Sequence, residues 1–350
     1  MNASIETAVA TPRTPVAPPH PTHKLKLLLR REFWEHKGGF LWAPLVAGAI
    51  FLALAAMGIV TALFFARKAI AEGEMQIDGE VMINGLDLGM LTQRLDAQDL
   101  AELGKGLDIS LFMASSWPLI VLAFVVFFYC LGALYDERRD RSVLFWKSLP
   151  VSDRDTVLSK AASALVVAPV LAVAAGLATM LGFLALISLV ALAHGGNPVE
   201  LLWGPASPFA VAGSMLLAVP VYALWALPTV GWLLLCSAWA KSKPFLWAIM
   251  IPLFAGIFVS WFDLMRGFDL GANWFWANVV GRLLLGTVPG AHLPYRDDIG
   301  QLAGNDDIAQ LLTPVHAMEN YAMPELWIGA AVGAAFLFAA IRLRRWRDEG

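Results

Sequence analysis

YDERRDRSVLFWKSLPVSDRDTVLSK, residues 135–160, is a densely charged stretch between two long uncharged apolar blocks. Because Pro150 disfavours a helical residue before it, the helix entering from the first apolar block should end near Ser148. Ser152 and Asp155 have the spacing of a capping box, which predicts a second helix starting there and running into the next block. The stretch is therefore predicted to be a helix–turn–helix elbow at a membrane surface.

The middle of this elbow carries Phe145 and Trp146. Two roles fit these aromatic side chains. In one, they anchor a solvated loop among the lipid headgroups. In the other, they form a docking surface for a soluble partner.

Composition places the chain among polytopic membrane proteins. It is 58% hydrophobic and 15% charged over 350 residues, whereas a soluble domain carries about 25% charged residues. Several uninterrupted apolar runs exceed the roughly 20 residues that a membrane-spanning helix needs. Cys130 and Cys236 both fall inside such runs, which predicts buried apolar side chains rather than a disulfide or a metal site.

The amino-terminal region has two parts. Residues 1–22 are rich in Pro, Thr and Ala and are predicted to be a disordered tail rather than a signal peptide. Residues 23–39 combine an apolar face with a basic one, which predicts an amphipathic helix in the headgroup plane, ended by Gly38-Gly39. The alternative is a charged segment that precedes the first span without lying in the headgroup plane. The predicted interfacial residues of this helix are Arg30, Arg31, Phe33 and Trp34.

The apolar runs predict six membrane-spanning helices. Their approximate bounds are 40–66, 111–134, 161–193, 209–240, 245–262 and 326–341. The third and fourth are longer than the hydrocarbon thickness requires, so they should tilt, kink or project, with kinks at Pro169, Pro220 and Pro228. No Asp, Glu, Lys, Arg or His lies inside these spans. Because ion-coupled carriers generally need ionisable groups at depth, energy for any transport should come from outside the chain.

The basic residues predict the orientation of the spans. With the amino terminus inside, the inner segments hold 18 of the 25 Lys and Arg residues and the outer segments hold seven. Such a split predicts that both termini and the elbow are cytoplasmic.

Two outer segments are large. Residues 67–110 are acidic and punctuated by glycine, which fits either a small folded insert or a mobile loop. Residues 263–325 contain the apolar stretch GANWFWANVVGRLLLGTVPG, which is too short to span and is interrupted by Gly281 and Arg282. It fits a re-entrant or interfacial hairpin on the outer side, or a soluble helix with one apolar face.

The sequence lacks the common nucleotide-binding, catalytic and metal-binding motifs. It contains no GxxxxGK[ST], no GxGxxG after a strand, no HExxH, and no Cys and His cluster at metal spacing. The chain is therefore predicted to hold no catalytic residue, metal or cofactor of its own and not to be an enzyme by itself.

Over nearly its whole length after the tail, the chain resembles the permease subunits of ABC type-2 exporters. The resemblance is carried by the amphipathic segment REFWE at 31–35, by the elbow phrase FWKSLPVS at 145–152 with its closing TVLSK at 156–160, and by the six-span plan with an interrupted outer segment before the last span. The elbow phrase is the most specific of the three. The acidic first outer loop exceeds the minimal plan of the family.

The resemblance implies a homodimeric permease, in a bacterial-type inner membrane, beside two copies of a separate ATPase that binds ATP and Mg²⁺. It also implies that the elbow is a coupling helix and that the outer apolar stretch forms re-entrant helices capping the exit. The implied domain is 40–342, with a basic tail at 343–350. The implied coupling residues are Phe145, Trp146, Lys147, Ser148, Leu149 and Pro150.

Together these observations predict an all-α polytopic membrane protein with six transmembrane helices, an amphipathic amino-terminal interfacial helix, a cytoplasmic coupling helix and a re-entrant outer segment. The expected function is export of a substrate, such as an amphipathic peptide, a lipid-linked compound or a drug, driven by the separate ATPase. The expected partners are this ATPase, a second permease and the lipid bilayer, and no nucleic acid. The alternative is a non-transporting membrane scaffold or sensor that binds a ligand through its outer segments.

Overall fold

The computed structural model describes residues 21–71, 96–142, 148, 151–265, 271–293 and 318–346. These residues form helices and turns, with no strand in the described part of the chain. The α-helices are Pro21–Glu35 (α1), Ala43–Ala71 (α2), Ala97–Ala133 (α3), Tyr135–Arg139 (α4), Asp153–Ala162 (α5), Ala168–Ala193 (α6), Pro208–Trp239 (α7), Pro244–Leu264 (α8), Ala272–Phe275 (α9), Arg282–Leu285 (α10) and Pro324–Trp346 (α11). Short π-helical segments are Gly38–Trp42, Ser163–Val167, Val199–Trp203 and Trp276–Gly281.

Six helical stretches in the described residues are long and apolar enough to cross a membrane. They contain α2, α3, α5 continued by α6, α7, α8 and α11, which confirms the predicted number of spans and the all-α fold. One end of the bundle carries α1, α4, the start of α5 and the end of α11, and we call this end the elbow face. The opposite end carries the segments that connect α2 to α3, α6 to α7 and α8 to α11.

The third span contains an irregularity where proline was expected to cause one. The π-helical segment Ser163–Val167 directly precedes Pro169, whose missing N–H cannot bond to the preceding turn. Pro220 and Pro228 lie inside α7, as expected for a long span of this composition.

Part of the predicted first outer loop is helical. Asp96 caps α3 by accepting hydrogen bonds from the backbone N–H groups of Gln98 and Asp99, and α3 then runs without a break through residue 110 into the second span. The loop that was predicted to end at residue 110 therefore ends by Asp96. The rest of it, 72–95, lies outside the described residues.

The glycines after α1 do not end the helical path. Helix α1 ends at Glu35, and Gly38 and Gly39 begin the π-helical segment that leads straight into α2. Neither glycine has a positive φ. A Cβ on Gly39 would lie 3.1 Å from Val125, so this glycine permits close packing of the segment against α3. The prediction of a glycine stop was wrong because packing overrides the local preference.

The helix entering the elbow is interrupted earlier than predicted. Helix α4 stops at Arg139, and Arg141 has a left-handed backbone with φ of 57°, so the helix does not run unbroken towards Ser148 as expected. Ser142 and Ser148 are helical again, and residues 143–147, 149 and 150 lie outside the described residues, so an end near Ser148 stays a prediction. The second boundary is confirmed, because Ser152 accepts a hydrogen bond from the N–H of Asp155 at 3.0 Å and α5 begins at Asp153.

A buried hydroxyl explains the break between α3 and α4. The Ser237 side chain, on α7, donates to the carbonyl of Leu131 and accepts from the N–H groups of Leu134 and Tyr135 at 3.0 and 2.9 Å. Arg138 then donates to the carbonyls of Ser237 and Ala240. These bonds tie the beginning of the elbow to the end of α7.

Candidate functional site: a buried charge cluster at the base of the elbow

Five charged side chains from four separate helices meet on the elbow face. Helix α1 supplies Glu32, α4 supplies Glu137, α5 supplies Asp153 and Lys160, and α11 supplies Arg344. We call these residues the charge cluster. Three of these side chains are almost fully buried, with exposed fractions of 1% for Glu32, 8% for Glu137 and 3% for Lys160.

The geometry pairs each charge with an opposite one. The ammonium of Lys160 lies 3.0 Å from a carboxylate oxygen of Glu32 and 3.0 Å from one of Glu137. Arg344 contacts Glu137 at 2.8 Å and Asp153 at 3.1 Å. The hydroxyl of Tyr129, on α3, donates to the second oxygen of Glu32 at 2.8 Å. The cluster is therefore a connected network rather than a set of isolated pairs.

Burial makes the network costly to break. An unpaired charge taken out of water loses several kcal/mol of hydration, so truncation of one partner of a buried pair typically costs about 3–5 kcal/mol. By contrast, an exposed ion pair contributes about 0–1 kcal/mol. The cluster thus fastens α1, both sides of the elbow and the end of α11 to one another.

The predicted interfacial residues have mixed positions on α1. Arg30 and Trp34 are exposed, and Phe33 is partly buried with its ring 5.8 Å from that of Trp34. Arg31 contacts Glu35 at 3.3 Å and reaches Glu137 of the charge cluster at 3.8 Å. The exposed pair can meet headgroups, whereas Arg31 faces the protein.

Among the six predicted coupling residues, only Ser148 is described, and it is helical and exposed. Phe145, Trp146, Lys147, Leu149 and Pro150 lie outside the described residues. Their predicted role therefore stays a prediction.

Sequence reasoning missed the charge cluster itself. Lys160 and Arg344 were counted only as basic residues on the inner side, and Glu32 was taken as part of the interfacial segment. One local signal existed, since Glu32 follows Leu28 by four residues and therefore shares its helix face. Leu28 is 9% exposed, so that face is the buried one, and an acid on it required a buried cation.

A cavity of about 810 Å³ opens beside the cluster, between α1 with its following π-helical segment and the α3–α4 face. Its lining includes Lys160 and Glu137 from the cluster, aromatic side chains of α3, and the carboxylates of Asp136 and Asp140. In the described part of the chain no group of three or more His, Cys, Asp or Glu side chains could hold a metal ion. The cavity volume falls within the range of about 300–1,000 Å³ that is typical of ligand pockets.

Comparison with known proteins gives no relative. No protein-family model, curated protein or solved structure matches this chain.

A second polar site lies at the opposite end of the bundle. From Ala272 the chain turns back along α8. The N–H of Ala272 donates to the Asp263 carboxylate, and the indole N–H of Trp276 donates to the Ser260 hydroxyl. Further along α8, Gly256 leaves room for the close approach of Trp276 and Val280. Beyond these contacts, the hydroxyl of Tyr222 donates to the carbonyl of Thr287, nearer the start of α7.

Residues 272–285 thus form one helical limb packed along α8, followed by turns from Gly286. Residues 294–317 lie outside the described residues, so the re-entrant hairpin stays a prediction. Arg282 lies near the end of this helical limb. The guanidinium packs over the Trp225 ring with Cζ 4.0 Å from the centroid, and donates to the carbonyl of Glu325 at 2.6 Å. The backbone carbonyl of Arg282 accepts a hydrogen bond from Thr229 at 2.6 Å. This arginine was predicted to lie in an outer loop. It is 8% exposed and joins the helical segment 272–285 to α7 and α11.

Proposed function

We propose that this chain is the transmembrane permease subunit of an ABC type-2 exporter. In this proposal it moves a substrate out of the cytoplasm, lies in a bacterial-type inner membrane with both termini cytoplasmic, and pairs with a second permease. The energy comes from a separate ATPase that binds ATP and Mg²⁺, and the chain itself hydrolyses no ATP.

The charge cluster is the observation that carries the proposal. A permease driven from outside must pass a displacement at one surface segment to several spans at once. Glu137 and Lys160, on the two sides of the elbow, are bonded to each other and, through Glu32 and Arg344, to α1 and α11. A force applied to the elbow would therefore move these helices together instead of bending the elbow at its base.

The outer apolar segment, which is predicted to form a re-entrant hairpin, fits the same proposal. Backbone that enters the membrane without spanning it is tolerated where it is buried in protein or lines a water-filled path. The buried Arg282 holds the helical part of this segment against α7 and α11. A hairpin on the side opposite the elbow is suited to closing the exit of a transport path.

The proposal is tested by co-expressing the chain with a candidate ATPase that carries a Walker A loop. We expect a complex of two permeases and two ATPases by native mass measurement, with ATP hydrolysis only when the ATPase is present. Hydrolysis by the isolated chain would refute the proposal. A stable chain that never binds the ATPase, and binds a ligand through its outer segments without transport, would favour the scaffold or sensor instead.

A mutation separates the two roles of the elbow aromatics. A buried aromatic anchor typically costs about 2 kcal/mol or more on truncation, whereas a rim charge costs far less. We expect Trp146→Ala to leave the permease inserted but to weaken ATPase binding at least tenfold in a pull-down titration, and Arg154→Ala, at an exposed position, to change it little. Cross-links from position 146 to lipid alone, with normal transport, would contradict this role.

A further inference from the structure

The cavity on the elbow face has one wall with an ordered sequence of side chains. Phe124, Phe128, Gly132, Asp136 and Asp140 follow one another at four-residue intervals along α3 and α4, and all five line the cavity. Residues four apart lie on one face of a helix. With a rise of about 1.5 Å per residue, the part of the wall within α3, from Phe124 to Gly132, extends over about 12 Å.

Polarity changes along this wall. Phe124 and Phe128 are 63% and 58% exposed, so their rings are available at the apolar end. The wall has no side chain at Gly132, and the Asp136 carboxylate folds back towards this gap, 2.5 Å from where a Cβ at position 132 would lie. The polar end therefore presents a carboxylate directly beside an aromatic surface.

The charges around the cavity leave an excess of negative charge at this end. Lys160 is held by Glu32 and Glu137, and Arg31 by Glu35, so both cations are already paired with carboxylates. The side chains of Asp136 and Asp140 are exposed. Neither makes an ion pair with another residue that the structure describes.

The histidine that lines the cavity contacts Glu32 and Tyr129. Nδ1 of His36 lies 3.2 Å from the backbone carbonyl of Glu32 and 3.9 Å from its carboxylate, and the ring lies edge-on to Tyr129 with the ring centroids 4.7 Å apart. It adds a further aromatic surface to the cavity.

We propose that this cavity binds an amphiphile with a cationic head group and an apolar body. The head group would lie between Asp136 and Asp140, and the body against Phe128 and Phe124. A cation near an aromatic face gains electrostatic attraction in addition to that of the carboxylates. This inference concerns binding by the chain alone, and it goes beyond the proposed transport function without depending on it.

The test uses a pair of probes with the same shape and opposite charge, tetraphenylphosphonium and tetraphenylborate. Binding of each radiolabelled ion is measured on the full chain in phosphatidylcholine nanodiscs, with empty nanodiscs of the same lipid subtracted. We expect saturable binding of tetraphenylphosphonium and none of tetraphenylborate. Equal binding of both ions, or binding of the cation that does not saturate, would overturn the proposal.

Variants locate the site. Each exposed carboxylate should contribute about threefold to the affinity, so Asp136→Asn should weaken binding about threefold and Asp136→Asn with Asp140→Asn about tenfold. Gly132→Ala keeps the charge but displaces the Asp136 carboxylate, and should also weaken binding. Glu200→Gln is the matched control, since Glu200 is exposed at the opposite end of the bundle, and it should have no effect.

The apolar end has its own variant and control. Phe128→Ala should weaken binding of tetraphenylphosphonium about threefold, whereas Phe254→Ala, at a similarly exposed phenylalanine of α8, should not. Unchanged affinity in the double Asp variant, with the protein still monodisperse, would refute the assignment of the head-group site.

A second set of nanodiscs identifies the source of the amphiphile. Phosphatidylethanolamine, whose primary ammonium can donate hydrogen bonds to carboxylates, replaces part of the phosphatidylcholine, whose trimethylated ammonium cannot. Weaker apparent binding of tetraphenylphosphonium would identify a lipid head group as the occupant, and unchanged binding a soluble amphiphile. Because neither ATP nor the ATPase is present, failure of this test is separate from failure of the transport proposal.

Discussion

Replacing Lys160 with methionine tests the charge cluster most directly. At 3.0 Å from each of two carboxylates, the ammonium gains about 5 kcal/mol of Coulomb attraction per contact at an effective dielectric constant of about 20. Desolvation of three buried charges offsets much of this gain. Methionine fills the volume of the lysine stem but leaves Glu32 and Glu137 without their shared cation, so we expect Lys160→Met to cost about 3–5 kcal/mol of unfolding free energy.

The assay is reversible denaturation of the purified chain in mixed micelles, followed by circular dichroism. A double-mutant cycle with Glu32→Gln separates the ion pair from packing. Because Glu32 and Lys160 are in contact, the double variant should be about 1–3 kcal/mol more stable than the sum of the single changes predicts. Arg154→Met, at an exposed position on the same helix, should change stability by about 0.5 kcal/mol or less. A cost below about 1 kcal/mol for Lys160→Met, or strict additivity in the cycle, would refute the network.

Three further predictions follow from other parts of the structure. Ser237→Ala removes a buried hydroxyl that serves two backbone N–H groups and one carbonyl, and should cost about 1–3 kcal/mol in the same denaturation assay. Gly329→Ala would place a methyl group against the buried guanidinium of Arg282, which should cost about 1–3 kcal/mol of unfolding free energy. The control Gly58→Ala, with open space around it, should be neutral. Single cysteines at Arg141 and Glu200 in a cysteine-free background should react with an impermeant maleimide from the cytoplasmic and the outer side respectively, and the reverse pattern would contradict the predicted orientation.

The spans could be predicted from the sequence because the signal is local. An apolar run of sufficient length is contained within the segment that it describes, and so is the relation between Ser152 and Asp155, which places the start of α5 correctly. The same holds for Cys130 and Cys236, which are buried as free thiols. Each of these features depends on residues close together in the chain.

The charge cluster could not be predicted because its partners are far apart in sequence. Glu32 and Lys160 are separated by 128 residues, and Glu137 and Arg344 by 207. A basic residue at the end of a span has the same local pattern whether it faces water or a buried carboxylate. The count of inner basic residues used for orientation therefore included Lys160 and Arg344, although both are buried.

The two departures from the predicted helical path have a common physical cause. Gly38-Gly39 is an ordinary signal for the end of a helix, yet the helical path continues through it, and the helix that enters the elbow is interrupted at Arg139, before it reaches Pro150. Gly39 is packed against Val125 within a continuous helical path, and the helix before the elbow ends at Arg139. Tertiary contacts act in both places: Gly39 packs on α3, and the bonds to Ser237 interrupt the helix between α3 and α4.

The charge cluster and the elbow aromatics would have separable effects if the proposed function holds. The aromatics at 145–146 would decide whether the ATPase binds, since they lie in the part of the elbow predicted to meet it. Lys160 and Glu137 lie at the base of the elbow, where their bonds join α4 and α5 to α1 and α11. Trp146→Ala should therefore lose the ATPase, whereas Lys160→Met should keep it bound but transmit its motion to fewer helices. In that variant ATP hydrolysis would continue while transport falls, and a parallel loss of both would mean that the base of the elbow serves binding rather than transmission.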